Sequence, residues 1–181
     1  MNRAMLKMKA ILLLAATVVA LLAGPPTDGQ SPDMLPNGRQ VAKALRPILA
    51  KLSSGTAVPL RLPSYIPFSS DPKNPVYSSL SYLSESSYEV ELSWSQDCSG
   101  GNSCHLGTIR GSKGSDEQQS GGSLVWLRPG LKGHFTPAVC GGAGCTDSTI
   151  SWSEGGFVYS MSIKAGKETY LAKMARSALE H

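Results

Sequence analysis

The residues best suited to chemistry in this chain crowd into two short stretches. One is Asp97-Cys98-Ser-Gly-Gly-Asn-Ser-Cys104-His105, and the other runs from His134 through Cys140-Gly-Gly-Ala-Gly-Cys145 to Asp147. They hold all four cysteines and two of the three histidines, the third being His181. An imidazole oriented by a carboxylate makes a general base, so His105 or His134 with Asp97 or Asp147 is the candidate hydrolytic site. That chemistry requires the two stretches to meet and a serine to lie against the imidazole. The many serines fall in loops and on polar strand faces, and no Gly-x-Ser-x-Gly elbow is present. Glu89 and Glu91 share one face of a strand; a solvated strand face is the expected reading, and a glycosidase-type carboxylate pair the alternative. There is no His-Glu-x-x-His helix, P-loop or dinucleotide fingerprint, so no cofactor is expected.

The cysteines themselves offer three chemistries. Zinc knuckles usually space their paired thiols about two to four residues apart, whereas five and four residues intervene here. A redox pair is commonly Cys-x-x-Cys at a helix start, which is absent. Structural disulfides are therefore expected and no metal is. Of the three possible pairings, Cys98 with Cys104 and Cys140 with Cys145 are expected, because the loop glycines let the backbone turn back on itself. The alternative is a long bridge such as Cys98 to Cys140. Loop entropy assigns roughly 4 kcal/mol to that bridge against about 2 kcal/mol for each local one, so entropy and proximity pull in opposite directions.

The elements that must position these loops follow from periodicity. Val41, Ala44, Leu45, Ile48, Leu49 and Leu52 recur at helical spacing, with Pro47 predicting a kink or interruption. Val58 to Pro63 reads as a proline-bounded edge strand and Val76 to Leu83 as a further strand. Tyr88, Val90, Leu92 and Trp94 alternate with Glu89, Glu91 and Ser93 as a half-buried strand, and His105 to Arg110 returns from the first cysteine loop. Gly111 to Gly122 reads as an exposed loop. Leu124-Val-Trp-Leu127 is apolar on both faces, as a central strand would be, and Gly133 to Val139 is another strand. Ile150 and Trp152, the turn Glu154-Gly155-Gly156, and Phe157, Tyr159, Met161 and Ile163 make a hairpin. Lys167 to Leu179 closes the chain as an amphipathic helix. The predicted architecture is α+β: an antiparallel sheet of about six to eight strands, an N-terminal and a C-terminal helix packed on one face, and two disulfide-closed loops. Trp94, Trp126 and Trp152 are expected in the core, whereas Tyr65, Tyr77 and Tyr82 are the first candidates for a ligand face.

Compartment and charge narrow the function. Arg3, Lys7 and Lys9 precede the apolar run Ala10 to Ala23, a signal-peptide pattern of about 14 apolar residues, shorter than the roughly 20 needed to span a bilayer. Ala23 is the candidate cleavage position; an uncleaved anchor is the alternative. Leu21-Leu22-Ala23-Gly24 resembles a lipoprotein box, but Pro25 stands where the lipidated cysteine would be. Residues 1–23 are thus read as a signal peptide, 24–38 as a flexible proline-rich lead-in and 39–181 as a single α+β domain, secreted or periplasmic, with no membrane span after signal removal. The whole chain carries 17 basic and 13 acidic residues, and loss of Arg3, Lys7 and Lys9 leaves a net charge of +1. No lysine or arginine cluster suits phosphate neutralisation, so nucleic acid is not an expected partner.

Three segments carry a resemblance: Val58-Pro-Leu-Arg-Leu-Pro-Ser-Tyr-Ile-Pro67, Leu131-Lys-Gly-His-Phe-Thr-Pro-Ala-Val-Cys140, and Ile150-Ser-Trp-Ser-Glu-Gly-Gly-Phe-Val-Tyr159, with Leu171-Ala-Lys-Met-Ala-Arg-Ser177 following. In this order they resemble a family of exported bacterial envelope proteins built on an α+β domain of unknown function. The resemblance implies export and fold and transfers no catalytic residue. The expected role is a non-catalytic binding or envelope-associated domain with an unidentified ligand or envelope partner. The alternative is an exported hydrolase with its site near His105 and His134.

Overall fold

The computed structural model describes residues 34–35, 38–98, 101–114, 122–142 and 144–180. The segment read as a signal peptide, most of the proline-rich lead-in and His181 lie outside these residues. A 3-10 turn over Lys43–Leu45 leads into α1 (Arg46–Gly55). The strands are β1 (Tyr77–Ser84), β2 (Ser87–Ser93), β3 (His105–Lys113), β4 (Ser123–Arg128), β5 (Leu131–Thr136), the two-residue β6 (Cys140–Gly141) and β7 (Gly144–Cys145), β8 (Asp147–Glu154) and β9 (Phe157–Lys164). Helix α2 (Glu168–Ser177) follows. Seven strands form one antiparallel sheet in the order β1-β2-β3-β9-β8-β5-β4, and β6 pairs only with β7. The expected α+β architecture is the observed one.

Alternation sorts the sheet into a core face and a polar face. Val90, Ile109, Met161 and Ile150 lie side by side across β2, β3, β9 and β8, and all are buried. The next rung pairs Tyr88 with Gly111, Tyr159 and Trp152. Trp152 and Tyr159 stack with centroids 5.4 Å apart, a favourable cross-strand aromatic pair. Tyr88 fills the space left by Gly111, where a Cβ would stand 2.5 Å from the ring. Leu49 and Leu52 of α1 and Leu171, Met174 and Ala175 of α2 join the same core. The opposite face is rich in serine and threonine, including Thr108, Ser162 and Thr149 on one rung.

Pro47 does not kink a helix. It sits in the first turn of α1, where its missing N–H has no partner to lose, and the preceding apolar residues form the 3-10 turn. Val58 to Pro63 is not a strand either. Its prolines cannot sustain a ladder, and side chains hold it instead: Tyr159 Oη donates to the Pro59 carbonyl at 3.0 Å, the Arg61 N–H donates to Tyr88 Oη at 3.2 Å, and the Arg61 side chain pairs with Glu154 at 2.8 Å. The apolar run of β4 proves to be an edge strand. Val125 and Leu127 enter the core, while Leu124 and Trp126 are exposed. Leu35, within the segment read as a flexible lead-in, is buried in the core.

Candidate functional site

Both cysteine loops lie at the same end of the sheet, one between β2 and β3 and the other between β5 and β8. The bridges are Cys98–Cys104 and Cys140–Cys145, the local pairing. A register shift at Leu92/Ser93 places His105 opposite Ser93 and lets Leu106 enter the core. His105 thereby meets Asp147 across the sheet end, with Nε2 to Oδ2 at 3.0 Å, while Nδ1 lies 3.5 Å from Glu91 Oε1. Ser162 Oγ donates to the same Asp147 oxygen at 2.7 Å and lies 3.0 Å from Thr108 Oγ1.

This network brings two of the four candidates together, but not in a hydrolytic arrangement. A base must present one imidazole nitrogen to a nucleophile while the carboxylate holds the other. Here both nitrogens face carboxylates, and the serine bonds the aspartate rather than the histidine. His134 lies on β5, three strands from His105, opposite Ser151 and Leu124. Asp97 is exposed in its loop, and its N–H donates to Ser95 Oγ at 3.4 Å. Glu89 pairs with Arg110 at 2.7 Å, so Glu89 and Glu91 serve different partners. Among the described residues, no group of three or more histidine, cysteine, aspartate or glutamate side chains is placed to hold a metal ion.

A different constellation forms on the helix side of this end. A cleft of about 780 Å³ is lined by Tyr65, Phe68, Asp71, Trp94, Ser103 and Tyr170, among others. Each wall has a local cause. Trp94 follows β2, and its N–H donates to the Cys104 carbonyl at 2.8 Å, so the first disulfide loop braces it. Tyr170 stands on the first turn of α2. The Tyr65 N–H donates to Ser177 Oγ at 3.2 Å, tying its loop to the far end of that helix. Between buried Ile66 and exposed Asp71 the chain turns sharply, with the Asp71 N–H donating to the Phe68 carbonyl at 3.1 Å.

The turn forces Phe68 into the left-handed region at φ 67°, which for a bulky side chain costs on the order of 1–3 kcal/mol. Phe68 is 45% exposed, and its ring lies 5.8 Å from Trp94 at an interplanar angle of 50° and 5.7 Å from Tyr170 at 80°. Lysines border the rings: Lys173 Nζ is 4.0 Å from the Tyr65 centroid and Lys167 Nζ 6.0 Å from that of Tyr170. Burial pushes the Tyr65 phenol above its ordinary value, with Tyr170 adding to the effect. Asp71 is held below the usual carboxylate range by the Asn74 side-chain amide at 2.8 Å and by the Lys73 N–H at 2.9 Å.

Of the tyrosines singled out as a ligand face, Tyr65 lines this cleft, whereas Tyr77 borders a neighbouring groove and Tyr82 is exposed on β1. Of the tryptophans expected in the core, Trp152 is fully buried, Trp94 is half-buried in the cleft and Trp126 is 58% exposed. Phe68 carried no signal in the sequence beyond its place after Pro67 in a loop. Comparisons with protein-family models, curated proteins and solved structures give no match.

Proposed function

We propose that this protein is an exported, non-catalytic binding domain of the bacterial cell envelope and that its ligand occupies the aromatic cleft. The observation that carries the reading is Phe68, an aromatic side chain held at positive φ with its ring turned into a cleft beside Trp94 and Tyr170. A strained, partly exposed aromatic persists where its surroundings over-determine it, and such residues cluster at ligand sites. Concave sites with aromatic walls and a few polar groups are the usual form of binding sites. The signal-like N-terminus and the two disulfides favour a compartment outside the cytoplasm. The hydrolase alternative ranks below this reading because His105 has no imidazole nitrogen turned to a nucleophile.

The test is cosedimentation of the disulfide-intact protein with insoluble bacterial envelope material. Phe68→Ala and Trp94→Ala should each reduce the bound fraction at least fivefold, whereas Tyr82→Ala, on the exposed edge strand, should not change it. Sedimentation indifferent to both cleft substitutions would refute the reading. So would turnover of ester, amide or glycoside substrates that His105→Ala abolishes.

A further inference from the structure

We infer that the cleft recognises an acidic carbohydrate, a saccharide chain bearing carboxylates. The inference rests on the cleft being the ligand site and names the chemistry it selects. Phe68, Trp94 and Tyr170 offer apolar surface to one side of a ligand, and Ser70, Asp71, Asn74 and Ser103 offer donors and acceptors to another. A sugar ring has that amphipathic form, with C–H faces that lie on aromatic rings and hydroxyls around its edge.

Charge decides between the remaining ligand classes. Rings set at 50° and 80° to their neighbours would also box a quaternary ammonium. The ammonium groups of Lys167 and Lys173 already stand over Tyr170 and Tyr65, however, and both lysines are exposed. Among the described lining residues the carboxylate is Asp71, which accepts from the Lys73 N–H and from the Asn74 amide, neutral donors that leave its negative charge in place. Around the rings Lys167 and Lys173 set two positive charges against the single negative charge of Asp71, so a cation meets a net like charge and a carboxylate on the ligand a net opposite one. A peptide added as a β-strand is disfavoured for another reason. It would seek the unpaired backbone of a strand edge, and these walls are side chains from a loop, from the residue after β2 and from α2.

The experiment titrates the disulfide-intact protein, by tryptophan fluorescence and calorimetry, with polygalacturonate, with the neutral polysaccharide dextran and with poly-glutamate. Polygalacturonate should bind at least tenfold more tightly than either of the others. Phe68→Ala should weaken it at least tenfold. The double variant Lys167→Gln/Lys173→Gln, altered only at exposed positions, should bring it down to the affinity for dextran, with unchanged thermal unfolding. Dextran binding equal to polygalacturonate would overturn the acidic specificity and leave the cleft reading standing. Poly-glutamate binding equally well would overturn the carbohydrate assignment. Absence of binding to polygalacturonate overturns the inference alone, whereas polygalacturonate binding that survives both Phe68→Ala and Trp94→Ala removes the cleft as well.

Discussion

Removal of the Cys98–Cys104 bridge by Cys98→Ala/Cys104→Ala tests how the two disulfide loops contribute. The bridged cysteines are six residues apart in sequence, and those of the second bridge are five apart. If each bridge acts by restricting the unfolded chain, each is worth about 2 kcal/mol, and the one-residue difference changes this by only about 0.2 kcal/mol. In a domain of this size each loss corresponds to a fall of roughly 4–8 °C in Tm. Urea unfolding of the wild type, of this variant and of Cys140→Ala/Cys145→Ala, with linear extrapolation, measures both losses. Their effects on the cleft should differ, because the Cys104 carbonyl accepts from the Trp94 N–H and Ser103 lines the cleft, whereas Cys140 and Cys145 do not line it. Tryptophan fluorescence should therefore shift in the first variant and stay constant in the second. A stability difference above about 1.5 kcal/mol between the variants would refute loop closure as the common origin of the two contributions.

Two further outcomes follow from packing and burial. Gly107→Ala would put a Cβ 2.0 Å from the Ser162 carbonyl oxygen on the neighbouring strand, and urea unfolding should show a loss of about 3 kcal/mol or more; Gly141→Ala faces open space and should stay within about 0.5 kcal/mol. Burial pushes the Tyr159 phenol up to about 12 and raises Tyr88 as well. A raised folded value means that this contribution is complete below the unfolded tyrosine value near 10 and drains away as pH climbs through the folded one. The urea midpoint should accordingly fall between about pH 10 and 12, and a flat midpoint across that window would contradict it.

The strands were legible where one face was buried. Tyr88, Val90 and Leu92 alternate strictly, and Gly155-Gly156 marks the β8–β9 turn, where both glycines have positive φ. The order of strands was not legible, because pairing between distant segments leaves no local trace. The apolar run Leu124 to Leu127 illustrates the cost: without alternation it looked central, yet Trp126 lies on an edge strand with Lys132 4.4 Å over its ring. The residues around the cysteines were found, but their partnerships depended on the register shift that turns His105 toward Glu91 and Asp147. The cleft was harder still. Of the three tyrosines expected on a ligand face only Tyr65 lines it, and Phe68 gains meaning solely by meeting Trp94 and Tyr170 from remote parts of the chain.

The strand order also constrains how this sheet assembles. The meander β1-β2-β3 and the hairpin β4-β5 are contiguous in sequence yet share no ladder; β8 and β9, the last strands, lie between them and pair with both. Synthesised first, the two earlier units each keep a bare inner edge until the closing hairpin arrives. Such edges invite pairing with other chains, and long-range closure is slow. The vulnerable interval runs from the emergence of β3 to the docking of β9.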